Sequence, residues 1–425
     1  MQQWAVIACD QFTQDRSYWE KVREAAAGSP SALNLIFPEI YLADGEHAGQ
    51  IKAIHQVMRD YLDSGVFAAP RQGFIYLERD TPFCRGRKGL VAAIDLEQYD
   101  WAPTARPSIR CTEGTVPERL PPRMDIRRNA SVEIPHALLL IDDDGDSLLR
   151  EMGERAKKSE PAYQGRLMMD SGSVSGWFLG EQDDWVFLAE RLDKLACRSY
   201  TRYLVDDLPF LFAVGDGNHS LASAKGIWEE YKVTHFAGQT SLPDHPCRYA
   251  MVEIENIYDL AIRFEPIHRV VFGMDFDSVI KLLSELPDFS SREVAGREEL
   301  ARLIAEPVKS VRFGIVSADR CMLVTTSADG ISTVCLQPLL DQAINNNASS
   351  AHKIDLYIDY IHGEVELFRL VSETSRPVTG ILLPPVQKAG FFETVARYGP
   401  LPRKSFSMGE AREKRFYVES RKLFG

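Results

Sequence analysis

The sequence has 425 residues, of which 45% are hydrophobic and 26% are charged, as in an ordinary soluble globular protein. Its net charge of −12 argues against a protein that grips nucleic acid along the phosphate backbone. The 7 cysteines stand singly with no Cys-x-x-Cys pair, so neither a zinc site nor a disulfide framework is indicated. No apolar run approaches the roughly 20 residues of a membrane span, and no signal peptide is recognisable. We therefore expect a cytoplasmic protein without a membrane partner.

The first part of the chain is predicted to alternate strands and helices. A short buried strand is expected at 4–8, and helical spacing of apolar residues covers 17–27 and 46–62, each with a glycine just past its end. Strands are expected at 74–77 and 90–94, joined by a basic loop. This alternation favours an α/β (α+β) fold.

The segment 102–136 breaks this pattern, because it is rich in proline and arginine and has little periodicity. Long loops inside a domain are often functional. The arginines would neutralise phosphates, or they would belong to a solvated loop with surface ion pairs worth about 0–1 kcal/mol each. Cys111, beside Arg110, is the one cysteine that the sequence places in a basic segment, where a thiol can become reactive.

The most informative stretch follows an apolar run at 208–214, which stops at a Gly-Asp-Gly turn and passes into a helical pattern. A strand, a glycine turn and a helix together form a site where backbone N–H groups and the helix dipole hold an anion. Asp216, Asn218 and His219 crowd this turn with groups that bind, orient or move a proton. The alternatives are an Asx turn at Asp216 and a histidine packed at the helix start.

Compact alternating elements from about 275 onward predict a second α/β domain. Helices are expected at 276–286, 297–305, 336–344 and 386–397, and strands at 310–316, 321–325, 331–335 and 378–383. We place the domain boundary near residue 273, which gives domains at 1–273 and 274–425.

Four stretches of the sequence resemble the protein family catalogued as domain of unknown function 1015, and they follow one another along the chain as they do in that family. The family hallmark Asp-Gly-His-His-Arg stands at 216–220 as Asp-Gly-Asn-His-Ser, and an Arg-x-x-Glu-x-Thr stretch lies at 110–115. Pro-x-His-Arg lies at 266–269 and Tyr-x-His at 360–362. The hallmark is similar to that of the ParB/sulfiredoxin superfamily, in which such a turn holds nucleotide phosphates. The resemblance implies a ParB/sulfiredoxin-like N-terminal domain that handles a nucleotide or phosphate.

The resemblance also implies an activity, namely the transfer or hydrolysis of a phosphoryl group on a small hydroxylated metabolite such as serine or phosphoserine. The implied catalytic residues are Asp216, His219 and Glu113. The implied phosphate- or substrate-binding residues are Arg110, Thr112, Thr115, Arg119, Asn218, Ser220, Asp10, His268 and Arg269. Asp10 is included because it follows the first strand and is placed to reach the same mouth. The implied cofactors are ADP or ATP and a Mg²⁺ ion bridging Asp216 and phosphate oxygens, with no metal site from protein groups alone.

Two positions depart from the hallmark, because Asn218 replaces its first histidine and Ser220 replaces its arginine. Loss of an arginine removes a bidentate phosphate fork. Either another arginine holds the phosphate, or nucleotide binding has been lost. Two other function classes therefore stay open, a non-catalytic nucleotide or metabolite sensor and a ParB-like DNA-binding protein or nuclease. The acidic net charge speaks against the second, and the oligomeric state is not indicated.

Several implied site residues have structural alternatives of equal weight. Glu113 lies among arginines, which normally lower a carboxyl pKa and disfavour general-base work, so an exposed salt bridge is an even alternative. For His268 and Arg269 the alternative is packing at a domain junction. For Thr112 and Thr115 it is capping of a local turn.

Overall fold

A computed structural model shows the mixed α/β architecture expected from the sequence. The structure describes residues 1–42, 44–45, 47–134, 136–205, 207–236, 244–308, 310–349, 353–374 and 376–424. The helices are α1 (Arg16–Ala26), α2 (Ala48–Asp63), α3 (Leu120–Arg127), α4 (Ser147–Ala156), α5 (Gln182–Tyr203), α6 (Asn218–His235), α7 (Phe276–Leu283), α8 (Arg297–Ala305), α9 (Ser332–Ala348), α10 (Glu364–Glu373) and α11 (Phe391–Tyr398). The strands are β1 (Val6–Ile7), β2 (Phe74–Asp80), β3 (Arg87–Asp95), β4 (Tyr99–Asp100), β5 (Ile109–Arg110), β6 (Val132–Glu133), β7 (Leu138–Ile141), β8 (Tyr163–Arg166), β9 (Ser173–Leu179), β10 (Phe212–Asp216), β11 (Tyr249–Asn256), β12 (Phe264–Phe272), β13 (Ser290–Glu293), β14 (Val311–Val316), β15 (Cys321–Thr326), β16 (Tyr357–His362), β17 (Val378–Leu382), β18 (Phe406–Met408), β19 (Phe416–Tyr417) and β20 (Arg421–Lys422).

The chain forms two compact units. The first unit comprises residues 1–263, 395–400 and 408–425, and the second comprises 264–394 and 401–407. The first unit is built on a nine-stranded mixed sheet of order β4-β5-β10-β7-β11-β3-β2-β9-β8. In the second unit six strands follow the order β13-β15-β14-β17-β12-β16. None of the described helices is long and apolar enough to cross a lipid bilayer.

One predicted strand is wrong, because residues 331–335 do not form a strand. Ser332 begins α9, so this stretch is the first turn of a helix. Its β-branched residues favour a strand locally, but Thr333, Leu336 and Leu340 lie on one buried helical face. Burial of that face over the helix outweighs the local preference.

Strand β10 and helix α6 meet at a turn that only glycine can form. Phe212, Ala213 and Val214 are buried between β5 and β7, so the strand is held on both sides. Gly217 caps α6 with φ +79°, in the left-handed region. A Cβ there would lie 2.8 Å from the Cα of Ala137, so both the backbone conformation and the close approach require glycine. The turn therefore directs the N-terminus of α6 away from a rigid strand end.

The last described residues, 408–424, return to the first unit, and we call them the C-terminal strap. Its strand β19 pairs antiparallel with β1, and β20 pairs antiparallel with β6. Two buried arginines anchor the strap backbone. Arg79 donates to the carbonyls of Arg412 at 2.8 Å and Lys414 at 2.6 Å, and Arg87 donates to that of Glu413 at 2.9 Å. The strap is thus an integral part of the first unit.

Candidate functional site

Asp216, at the end of β10, forms an ion pair with Lys414 of the strap. Its Oδ2 lies 3.1 Å from the Lys414 Nζ. Its Oδ1 accepts the backbone N–H of Gly217 at 2.9 Å. The Lys414 side chain is only 10% exposed, so its ammonium is held rather than free to sample solvent. The Lys414 ammonium therefore lies beside the N-terminus of an 18-residue helix. Both the ammonium and the helix N-terminus attract an anion.

Asp10, which follows β1, also interacts electrostatically with Lys414. Burial raises its pKa, but the positive charges of His136, Lys414 and Arg123 and a hydrogen bond from Gln11 outweigh it. The pKa of Asp10 is therefore lowered, and its carboxylate stays ionised at neutral pH. Asp10 and Asp216 thus both lie near Lys414, and the predicted binding role of Asp10 stays a prediction.

Glu39 lies near Asp10, and its pKa is shifted in the opposite direction. It pairs with Arg123, and its backbone N–H donates to the carbonyl of Cys9 at 2.8 Å. Burial raises the pKa of Glu39, and the nearby charge of Asp10 adds to this, while Arg123 and His136 lower it without cancelling the rise. When the pKa values of two neighbouring carboxyl groups are shifted in opposite directions, one group can act as an acid or base while the other stays ionised.

His136 is oriented by Tyr417 of the strap. The Tyr417 hydroxyl lies 2.8 Å from His136 Nδ1 and accepts the backbone N–H of Cys9 at 3.1 Å. This contact fixes the imidazole plane beside Asp10. Burial raises the pKa of the Cys9 thiol to about 12, so this thiol stays protonated and uncharged beside the site.

The arginine- and proline-rich segment contacts the glycine turn through Thr112 and Val116. The backbone N–H of Thr112 donates to Asn218 Oδ1 at 3.4 Å, and the Thr112 hydroxyl donates to the carbonyl of Val214 at 2.5 Å. The N–H of Val116 donates to His219 Nε2 at 3.2 Å. Asn218 and His219 therefore hold this loop against the start of α6.

Thr115 and Glu113 lie in that loop, both half-buried. The Thr115 hydroxyl is shielded from solvent and has no hydrogen-bond partner among the described residues. A buried polar atom without a partner calls for a ligand or a water molecule. The binding role of Thr115 and the general-base role of Glu113 stay predictions.

The side-chain contacts of Arg110 and the carbonyl contact of Arg119 lie away from the glycine turn. The Arg110 guanidinium donates to the carbonyl of Pro107 at 3.1 Å and lies 4.5 Å above the ring of Phe210. Both partners precede the parallel strands β5 and β10, whereas Asp216 lies at the far end of β10. Burial lowers the Arg110 pKa to about 10, with a smaller contribution from a neighbouring arginine. Arg119 is exposed, and its carbonyl accepts a hydrogen bond at 2.6 Å.

His268 and Arg269 lie on β12 in the second unit and are bound within it. His268 Nδ1 accepts the backbone N–H of Leu383 at 3.1 Å. Burial, followed by the charges of neighbouring Arg269 and His362, lowers the His268 pKa to about 4. Arg269 Nε donates to Gln337 at 3.1 Å. Their predicted contact with substrate stays a prediction.

The donor set around Asp216 does not form a magnesium site. Its Oδ2 faces the Lys414 ammonium, which occupies the position that a cation would take. Within the described part of the chain, no three His, Cys, Asp or Glu side chains cluster as metal ligands. We therefore derive no step through Mg²⁺. Cys111 is buried, and this burial raises its pKa to about 11, which leaves its thiol protonated.

Sequence reasoning missed four members of this cluster, namely Glu39, His136, Lys414 and Tyr417. None belongs to a recognisable motif. They meet because β19 pairs with β1, which precedes Asp10, and because β20 pairs with β6, which precedes His136. The apolar stretch around Tyr417 is the one local signal for a buried strap.

The fold and the site define an α/β protein with paired carboxylates and a lysine at a strand–turn–helix junction. The family model described as a protein of unknown function (DUF1015) matches residues 1–353, and the chain belongs to this family. Lys414 and Tyr417 lie beyond the matched residues. The likeness to the ParB/sulfiredoxin superfamily stays a prediction.

Several solved structures are similar to this chain. One is a conserved hypothetical protein from Pyrococcus furiosus, with 11% identity and a TM-score of 0.37 over 79% of this chain and 95% of that one. A free serine kinase in complex with AMP has 11% identity and a TM-score of 0.39 over 81% and 95%. SbnI with a C-terminal truncation, from Staphylococcus aureus, has 10% identity and a TM-score of 0.36 over 77% and 85%. No curated protein matches. At these scores we carry no function across.

Proposed function

We propose that this protein transfers or hydrolyses a phosphoryl group on a small hydroxylated metabolite, with serine and phosphoserine as the first compounds to test. The observation that supports it is the Asp216–Lys414 ion pair at the start of α6. It places a held cation and a helix N-terminus together, beside the oppositely shifted carboxyl groups of Asp10 and Glu39. Phosphoryl transfer depends mainly on such positioning and charge neutralisation.

The phosphate is proposed to bind between Lys414 and the first turn of α6. An ammonium group has three donors, so Lys414 can keep Asp216 and still donate to phosphate oxygens. Thr115 supplies a further hydroxyl from the loop that Asn218 and His219 hold in place. In this arrangement no arginine needs to replace the one that Ser220 displaces.

Glu39 is the proposed general base. Its raised pKa makes its carboxylate a better proton acceptor than that of Asp10. The acceptor hydroxyl oxygen forms a bond to phosphorus while the bond from phosphorus to the leaving oxygen breaks, and the hydroxyl proton passes to Glu39. A nucleoside di- or triphosphate is the donor in the transfer reaction, and water is the acceptor in hydrolysis. His219 as proton donor to the leaving oxygen, and Glu113 or Asp216 as base, stay predictions.

The test combines ligand binding with turnover. Thermal shift is measured with ADP, ATP, serine and phosphoserine, and phosphorus NMR follows serine with each nucleotide and phosphoserine alone, with and without Mg²⁺. Wild type is compared with Lys414→Met and with Lys422→Met, which removes an exposed lysine from the same strap. We expect Lys414→Met alone to abolish turnover. Equal turnover in all three proteins would overturn the proposal, and binding without turnover would favour a sensor.

A further inference from the structure

A cavity of about 120 Å³ lies in the first unit beside the first turns of α6. Apolar side chains form most of its wall, among them Met58 of α2, Ile126 of α3 and Leu423 of the strap. Its polar edge includes the charged side chains of Arg123, Arg127 and Glu133, and also Ser220, His136 and Tyr417. The cavity is therefore amphipathic, with an apolar body and a polar edge.

That polar edge belongs to the candidate site. His136 contributes to the field at Asp10, and Tyr417 holds the His136 ring at 2.8 Å. Arg123, the partner of Glu39, also lines the cavity. A molecule in the cavity thus contacts the same side chains that surround the proposed general base.

The size of the cavity limits what it can hold. An engineered apolar cavity of about 150 Å³ stays dry and binds benzene, so a space of this size suits a ring or a short aliphatic chain.

We propose that this cavity binds the apolar part of the acceptor substrate, a compound that carries a hydroxyl group on a hydrocarbon of roughly four to six carbons. This inference rests on the proposed phosphoryl chemistry. Serine has a single methylene in its side chain and would leave most of the cavity unfilled, so an acceptor with a longer hydrocarbon is expected to bind more tightly than serine. The hydroxyl group of the better substrate would lie at the edge formed by Arg123, the partner of Glu39, with its hydrocarbon among Met58, Ile126 and Leu423.

The experiment uses titration calorimetry to measure how linear primary alcohols from ethanol to octanol bind to the protein, with no phosphoryl donor. Affinity is expected to rise about fourfold with each methylene, as follows from the free energy of burying a CH₂ group, and then to stop rising near six carbons. The phosphate monoesters of the same alcohols are then assayed for hydrolysis.

Two variants test the location. Ala130→Leu adds bulk to the cavity wall and should abolish the chain-length dependence, whereas Ala305→Leu, at an exposed position on α8, should preserve it. If Ala130→Leu does not fold, Met58→Ala enlarges the same cavity and should move the optimum to longer alcohols. Absence of chain-length dependence in wild type, or an unmoved optimum in Met58→Ala, overturns the inference. Turnover of phosphoserine with no alcohol binding would leave the proposed function standing, and alcohol binding without any turnover would leave only the cavity assignment.

Discussion

The Lys414 ammonium lies 3.1 Å from a carboxylate oxygen of Asp216, although the second unit separates the two residues along the chain. Neither side chain is widely exposed, so water screens their interaction only in part. The pair therefore combines two functions. It holds the strap to the end of β10, and it keeps a cation beside the start of α6.

Asp216→Asn is expected to lower both stability and turnover. The substitution removes the negative charge that pairs with the nearly buried Lys414 ammonium, which should cost about 1–3 kcal/mol in urea unfolding. Asp277→Asn breaks the exposed Asp277–Arg320 pair and serves as the control, with stability expected to stay nearly unchanged. Equal effects of the two substitutions would show that the Asp216 pair is only a surface contact.

The pH dependence of turnover is expected to follow Glu39. Because its pKa is raised, the base is protonated at low pH and activity should increase as pH rises through that pKa. Arg123 lowers the pKa of Glu39, so Arg123→Gln should shift this acidic limb to higher pH. Profiles of kcat/KM for wild type and Arg123→Gln measure the shift, and Arg128→Gln on the same segment is the control. An acidic limb that does not move in Arg123→Gln would exclude Glu39 as the base.

The pH dependence of stability should carry a signature of Glu255, which is fully buried on β11 beside Arg87. Burial raises its pKa from 4.5 to about 8, against the opposing effect of Arg87. The folded state thus holds a proton that the unfolded state has lost, so this contribution is complete below pH 4.5 and disappears as pH rises through about 8. Glu255→Gln should flatten the loss of unfolding free energy over this range. An unchanged slope would mean that Glu255 is already ionised in the folded protein.

Gly217→Ala and Gly49→Ala are expected to have opposite effects. At Gly217 the positive φ and the Ala137 backbone oppose any Cβ, so alanine should cost about 1–3 kcal/mol. Gly49 lies in α2 with open space around it, where alanine should add about 0.4–1 kcal/mol. Urea unfolding measures both. Stabilisation by Gly217→Ala would show that the turn is not constrained as described.

The local part of the site could be predicted from the sequence, and the long-range part could not. A strand ending at a glycine turn and a helix beginning there are visible in the apolar pattern, and the structure places Asp216, Asn218 and His219 at that turn. Glu39, His136 and Lys414 have no such pattern, because they meet through strand pairings between distant segments. The strand predicted at 331–335 is wrong for a related reason. The β-propensity of a few residues does not include the apolar face that the whole helix buries.

The chain order of the strap has a consequence for biosynthesis. Residues 1–263 emerge from the ribosome first, and the whole second unit must be translated before Lys414 and Tyr417 exist. Until then the nascent first unit has its carboxylates but lacks the lysine that neutralises Asp216 and the hydroxyl that orients His136. The order of synthesis therefore delays assembly of the candidate site until both units have been made.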